Sequence, residues 1–333
     1  MTETSPRNWR EQIEDRVFRT IAEARESVNA PVVAVAYSGG LDSTALLLAA
    51  RAECDRRQTA LTAIHVNHQI SPNSQSWESH CVRTTGQLGI TLEVTRVEVT
   101  TRTTVSVEMA ARTARQSVFS RSRADIVLLG HHADDLAETV LLNMMRGCGA
   151  SGAEGLKYHR GLVRRPFIGL SRSLLERYVA DFGAAWIIDS SNLDPDYSRN
   201  YVRLDVLPAL TRRFPAARST IGRYASNLAL QHEAMSELAC IDSGKAKACF
   251  PISWQRLADL SEARRVNVVM EALANAGRHV PSKLRLVEFL RQAARDPTND
   301  SIAMNADHWA LAIRTGRLTI EPNNWPEQDK VLR

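Results

Sequence analysis

The stretch Val32-Val33-Ala34-Val35-Ala36-Tyr37-Ser38-Gly39-Gly40-Leu41-Asp42-Ser43-Thr44-Ala45-Leu46-Leu47-Leu48 decides the fold. An apolar run rich in valine breaks at a serine and two glycines, then resumes as a leucine- and alanine-rich segment. That pattern predicts a buried strand, a tight loop and a helix. Paired glycines allow positive φ and close approach to a ligand, because neither carries a Cβ. The first N–H groups of the following helix lack partners within it and attract an anion, helped by the helix dipole. Ser38 and Ser43 add hydroxyl donors. The chain has no lysine at this loop and no G-x-x-x-x-G-K-[ST] motif, which argues against a kinase- or GTPase-type phosphate loop. A plain strand-to-helix turn capped by serine or aspartate is the competing reading.

The hexapeptide Ser38-Gly39-Gly40-Leu41-Asp42-Ser43 resembles the signature loop of the N-type ATP pyrophosphatases, enzymes that cleave ATP between its α- and β-phosphates and adenylate a substrate. The resemblance implies that these six residues hold the pyrophosphate portion of ATP. It identifies a reaction class and leaves the substrate open.

Outward from the loop, helices and strands alternate. Trp9 to Val28 reads as a helix with Ile13, Val17, Ile21 and Ala24 on one face, stopped by Asn29 and Pro31. Ala60 to Val66 is the second strand, Trp77 to Leu88 a helix, and Thr91 to Val99 the third strand. Val107 to Ser122 is helical, and Ile126 to Leu129 is the fourth strand. This order predicts βαβ units and an α/β class with a parallel, Rossmann-like sheet; by resemblance the fold is adenine nucleotide alpha hydrolase-like. Ligands on such sheets sit at the carboxyl ends of the strands, so residues just after Val35, Val66 and Leu129 are expected to meet in one crevice.

With 333 residues, 44% of them hydrophobic, the chain has room for two cored domains. It contains no apolar run of about 18 residues, and its charged start lacks the apolar region of a signal peptide. The expectation is a soluble, cytoplasmic protein with no membrane partner. Five scattered cysteines without a C-x-x-C argue for reduced thiols and against a zinc ribbon. The net charge of +5 is moderate, but eleven arginines fall between Arg160 and Arg223, which suits nucleic-acid contact and solvated helix faces equally.

After the fourth strand comes Gly130-His131-His132-Ala133-Asp134-Asp135-Leu136-Ala137-Glu138-Thr139. Asp135 and Glu138 stand three apart at a helix start, where carboxylates are stabilised in their charged form. They suit an amine or a magnesium ion; helix capping is the plainer reading, and packing is the plainer reading of the histidines.

Taken with Arg146-Gly147-Cys148-Gly149, Arg165-Pro166-Phe167, Ser191-Asn192-Leu193-Asp194 and Arg199-Asn200-Tyr201-Val202-Arg203, that segment resembles the tRNA(Ile)-lysidine synthetase family, in order from about Val32 to Leu210. The resemblance implies a carbon–nitrogen ligase that adenylates the wobble cytidine of tRNA(Ile) with a CAU anticodon and converts it to lysidine with L-lysine, releasing AMP and pyrophosphate. ATP and Mg²⁺ are the implied cofactors, and tRNA(Ile) and L-lysine the partners; a homodimer is left open. Implied catalytic residues are Asp42, Asp135 and Glu138. Arg112 and His132 join the loop in binding ATP, and Asp135, Glu138 and Arg115 bind lysine. Arg146, Arg199, Asn200 and Arg203 contact tRNA, arginine being unable to act in acid–base exchange. Asp42 is a candidate for Mg²⁺ and equally for a helix-start role. Gln116, Leu136 and Cys148 depart from the family's usual tyrosine, glutamine and serine or threonine. Competing readings are a tRNA thiolase on the same loop and a non-catalytic RNA- or nucleotide-binding paralogue.

The expected divisions are a catalytic domain over 1–215, a linker helix over 216–240, and a smaller, mostly helical tRNA-binding domain over 241–333. The last includes helices Ala263 to Ala276 and Ser282 to Arg295, the latter carrying Lys283, Arg285, Arg291 and Arg295. A hairpin is expected from His308 to Arg314 and Arg317 to Glu321 about Thr315-Gly316, before a loose tail from Pro322. By resemblance the chain looks too short for the additional C-terminal domain of longer members.

Overall fold

A computed structural model describes residues 6–28, 31–98, 107–149, 152, 155–278, 282–306 and 308–322. Asn29, Val99 and the tail from 323 onward therefore lie outside the described residues. The chain divides into two compact units, Met1–Asn227 and Leu228–Arg333.

The first unit is built on strands β1 (Val33–Ala36), β2 (Leu61–Asn67), β3 (Thr91–Arg96), β4 (Ile126–Leu128), β5 (His159–Arg160) and β6 (Val163–Arg164), ordered β3-β2-β1-β4-β6-β5. All neighbours run parallel except β5, which makes a small antiparallel hairpin with β6. The parallel α/β sheet predicted from the alternation is present. The β5–β6 pair is too short to leave a periodic signal. Helices α1 (Pro6–Ser27), α2 (Leu41–Arg57), α3 (Ser74–Gln87), α4 (Val107–Arg121), α5 (Ala133–Met145) and α6 (Arg172–Asp181) surround it.

The central strands β1 and β4 are apolar on both sides, as a sheet covered on both faces requires, while the edge strands β3 and β5 are largely exposed. Val33, Val35 and Leu128 share one core with Ile13, Val17 and Ile21 of α1, Leu46 and Leu47 of α2 and Leu175 of α6. Ala34, Ile64 and Val127 face Phe119 of α4 on the other side. The polar stretch after Asp189 is not one continuous loop. It coils through a 3-10 turn at Ser190–Leu193, then α7 (Ser198–Tyr201), a π-helical segment Val202–Val206 and α8 (Leu207–Arg213).

Helix α9 (Ala217–Ser243) carries residues of both units. In the second unit, β7 (Ile252–Ser253), β8 (Ala303–Asn305), β9 (Trp309–Arg314) and β10 (Arg317–Pro322) form an antiparallel sheet ordered β7-β10-β9-β8. With it pack α10 (Trp254–Ala258), α11 (Glu262–Asn275) and α12 (Lys283–Arg295), around Trp254, Leu273, Leu290 and Leu311. The hairpin turns at Thr315-Gly316, both at positive φ (48° and 71°), as a tight two-residue turn demands. The Thr315 N–H donates to Asp300 at 2.7 Å. On α12, Arg291 pairs with Glu262 and Arg285 donates to the Asn305 carbonyl. Two of the four basic side chains of that face are thus engaged within the unit.

Gly130, just past β4, is pressed against the start of α2. A Cβ there would lie 2.7 Å from the Asp42 carbonyl oxygen and 2.9 Å from its carbon. Gly86, inside α3, has nothing within 4 Å of an added Cβ. Gly130→Ala is expected to cost about 1–3 kcal/mol in urea unfolding, and Gly86→Ala to gain about 0.5 kcal/mol by its helix propensity. Equal effects of the two substitutions would show that the close approach carries no weight.

Candidate active site

The ends of β1, β2 and β4 do meet, and they enclose a cleft of about 250 Å³ lined by Ser38, His68, Gly130 and His131 among others. Ser38, Gly40, Asp42 and Ser43 line it directly, while Leu41 turns into the core. Ser43 braces the loop: its hydroxyl donates to the Gly40 carbonyl at 3.0 Å and accepts the Ser38 N–H at 3.3 Å. Gly39 has φ +82°, a conformation strained for any side chain, and a Cβ on it would lie 2.5 Å from Ile187 Cδ1. At the N-cap of α2, Gly40 supplies no side-chain acceptor, leaving the helix start to bind an anion. Asp42 Oδ1 is buried and accepts no hydrogen bond among the described residues. A magnesium ion shared between one carboxylate and substrate phosphates fits this atom. Among the described residues no cluster of three His, Cys, Asp or Glu would hold a metal unaided.

The acids of α5 are placed differently from what the sequence suggests. Glu138 is fully buried and does not line the cleft. Arg199 Nε donates to its Oε2 at 2.8 Å and Arg203 Nε to its Oε1 at 2.6 Å. Four residues apart on a helical stretch, the two guanidiniums share a face and clamp one carboxylate. Asp135 lines the cleft; its Oδ1 accepts from Arg199 at 3.0 Å and its Oδ2 from the His132 N–H at 3.0 Å. Burial alone would lift the Asp135 carboxyl, but His132 and Arg199 outweigh it and leave it below its ordinary value. So of the residues expected at tRNA, Arg199 and Arg203 are engaged with these acids. Asn200 is buried and donates to the Ser191 and Asp194 carbonyls at 2.8 Å each, and Arg146 alone stands exposed, past the end of α5. Of the residues expected at lysine, Asp135 and Arg115 line the cleft.

A family model described as the PP-loop domain matches residues 11–210. The chain belongs to the PP-loop family. It is similar to tRNA(Ile)-lysidine synthase from Chromobacterium violaceum, at 39% identity over 265 residues, covering 78% of this chain and 61% of that protein. It is equally similar, at 39%, to the enzyme of that name from Pseudomonas syringae pv. tomato, over 79% of this chain and 62% of the other. The chain thus spans about three fifths of the length of the curated relatives it matches. Among solved structures, the U34-tRNA thiolase NcsA from Methanococcus maripaludis superposes with a TM-score of 0.54 at 19% identity, over 68% of this chain and 82% of that one, a likeness of fold. Among the described residues no helix is long and apolar enough to cross a membrane.

Within the PP-loop cleft the histidines have opposite surroundings. His132 caps α5: its Nδ1 accepts the Asp134 N–H, completing a capping box with Asp135. Its Nε2 lies 3.6 Å from Asp42 Oδ1 and 3.5 Å from Asp135 Oδ2. Burial works against its imidazolium, yet Asp42 and Asp135 prevail and raise it above its usual range. His132, expected at ATP, does not line the cleft and faces the aspartate of the loop. Arg112 is half-buried beside Arg165 and does not line the cleft. His131 lines it, with Arg165 behind. His68 lines it too, its Nδ1 buried without a partner, and burial followed by Arg115 pushes the ring down to about 4. Gly130, His131 and Arg165 stand in the sequence motifs without a role of their own, and His68 stands in none of them. The position of His68 and His131 just beyond strand ends was the available signal.

At the mouth of β2, Asn67 donates to Glu78 at 2.8 Å and Arg96 grips the same carboxylate with two nitrogens. Arg96, then Asn67, hold Glu78 down to about 2. The folded value lies below the unfolded one of about 4.3. This pairing therefore stabilises the protein above that value and the contribution disappears as pH falls toward about 2. The stability gap between wild type and Glu78→Gln, from urea titrations, is expected to close between about pH 5 and pH 2; a pH-independent gap would refute the ion pair. Glu138→Gln removes the carboxylate that Arg199 and Arg203 share, leaving them Asp135 as their acid, and is expected to destabilise by about 3 kcal/mol, against less than about 0.5 kcal/mol for Arg146→Ala. Similar losses for the two variants in thermal unfolding would overturn this account of the cluster.

Proposed function

We propose that the protein acts as a tRNA(Ile)-lysidine synthetase from this cleft. Ser38, Ser43 and the start of α2 hold the pyrophosphate portion of ATP, with Asp42 as the protein's ligand to Mg²⁺. The observation that carries this reading is the buried, unbonded Oδ1 of Asp42 at the head of a helix with no side-chain cap, in one cleft with Asp135 and Arg115. When bound, the ion would neutralise charge on the departing pyrophosphate.

In the first step O2 of the wobble cytidine bonds to the α-phosphorus of ATP and pyrophosphate leaves, which converts a poor leaving oxygen into a good one. In the second, the side-chain amine of L-lysine bonds to C2 and gives up a proton, and AMP departs with that oxygen. Asp135 supplies negative charge for the lysine ammonium and Arg115 positive charge for its carboxylate. Glu138 works from behind, fixing Arg199 and Arg203 against Asp135. Exposed Arg146, with Lys283 and Arg295 of the second unit, would meet tRNA phosphates. A cytoplasmic location goes with these substrates. The thiolase alternative is disfavoured because the five cysteines form no C-x-x-C pair and two of them, Cys54 and Cys81, are buried.

Purified protein with ATP, Mg²⁺ and unmodified tRNA(Ile) is expected to incorporate labelled lysine, and Asp42→Asn to lose at least about a hundredfold in rate. Pyrophosphate release with tRNA but without lysine incorporation would sink the lysidine reading and keep the PP-loop chemistry.

A further inference from the structure

His131 makes one hydrogen bond among the described residues, and its geometry fixes where the ring proton sits. Arg165 Nε is 3.0 Å from His131 Nδ1. A guanidinium can only donate, so Nδ1 must accept, and the proton of the neutral imidazole lies on Nε2. Nε2 itself has no hydrogen-bond partner among the described residues. Arg165 is 5% exposed, and its other bond runs from Nη1 to the Lys157 carbonyl at 2.6 Å. It is thus a buried cation resting on two uncharged acceptors, which is costly unless it does something else. Arg165 does not line the cleft and His131 does.

We infer that Arg165 is a positioning residue that locks His131 as the Nε2–H tautomer and so makes it a fixed hydrogen-bond donor to the phosphate chain of a nucleotide in the cleft. This rests on the reading that the cleft holds ATP. The same contact bars His131 from acid or base duty. Its Nδ1 lone pair is taken, and a second proton would set an imidazolium against a guanidinium at hydrogen-bond distance. Arg199 and Arg115 also face the ring and oppose its charging, with Asp135 as the opposing influence, and burial is the largest effect holding it neutral. His132 has the same tautomer imposed by the Asp134 N–H, yet its Nε2 is turned to Asp42 and Asp135. Adjacent in sequence, the two rings are left with different tasks: one bridges carboxylates and the other is available to an anion.

The test reads the tautomer itself. In protein with ¹⁵N-labelled histidine, the His131 resonances, assigned by their loss in His131→Gln, are expected to report neutral Nε2–H from about pH 6 to pH 8. Arg165→Met is expected to give a tautomer mixture and about a tenfold weaker Kd for Mg·ATP, the size of one lost bond to a charged group. Arg165→Lys, which retains a donor, should restore part of both. His131→Gln, which retains an N–H, should bind ATP better than His131→Ala. An Nδ1–H or doubly protonated ring in the wild type would overturn the inference even if every Arg165 variant failed to fold. So would an Arg165→Met protein with unchanged tautomer and ATP affinity. A wild type that shows the tautomer and the ATP effects but incorporates no lysine would overturn the lysidine reading and leave this one intact.

Discussion

Everything in the cleft depends on two stretches of main chain being allowed to touch. β1 and β4 are hydrogen-bonded neighbours, so the turns leaving them compete for the same space. Gly130 resolves the competition by having no side chain where the carbonyl of Asp42 passes. The start of α2, with its donor N–H groups, and the start of α5, with its acids, are thereby brought to opposite sides of one small volume. A parallel sheet supplies such adjacency only at its carboxyl ends, because only there do both chains turn outward together.

Around that volume the charges are arranged in opposition. Carboxylates at positions 42 and 135 face an anion cradle, and arginines at 115, 165, 199 and 203 are distributed around and behind them. Arg199 and Arg203 are paired with Asp135 and Glu138, while Arg165 rests on uncharged acceptors. Such a network costs desolvation to build, and what it provides is fixed dipoles that need not reorganise during a reaction. It also changes what lysine would meet. An incoming ammonium at Asp135 has to share that carboxylate with Arg199, so its binding includes displacing or joining an existing pair.

The strand-loop-helix of residues 32–48, the alternation after it and the meeting of the strand ends were all legible, because they rest on local periodicity and on one topological rule. So was the hairpin at Thr315-Gly316. The partners of side chains were not. Glu138 and Arg203 are 65 residues apart, and nothing in the local pattern of either tells that they meet. Asp135 and Glu138 read as candidates for an amine or a magnesium ion, and the arginines paired with them, more than sixty residues away, leave no local trace. Asn200 is expected at tRNA through the resemblance alone, and the structure adds that its amide closes the 190–194 turn from inside. The π segment at Val202–Val206 was invisible too, since one-residue shifts in helical pitch leave apolar spacing almost unchanged.

The clamp on Glu138 has an implication for how sequences of this kind drift. Glu138, fully buried, is held by both Arg199 and Arg203, so losing the glutamate takes a carboxylate from both arginines and losing either arginine leaves the buried acid with one cation. Selection for folding alone would therefore favour keeping the three. A descendant that had given up catalysis would still display the glutamate and both arginines at their proper spacing. Its loss of chemistry would have to be sought at Asp42, whose Oδ1 accepts no hydrogen bond among the described residues.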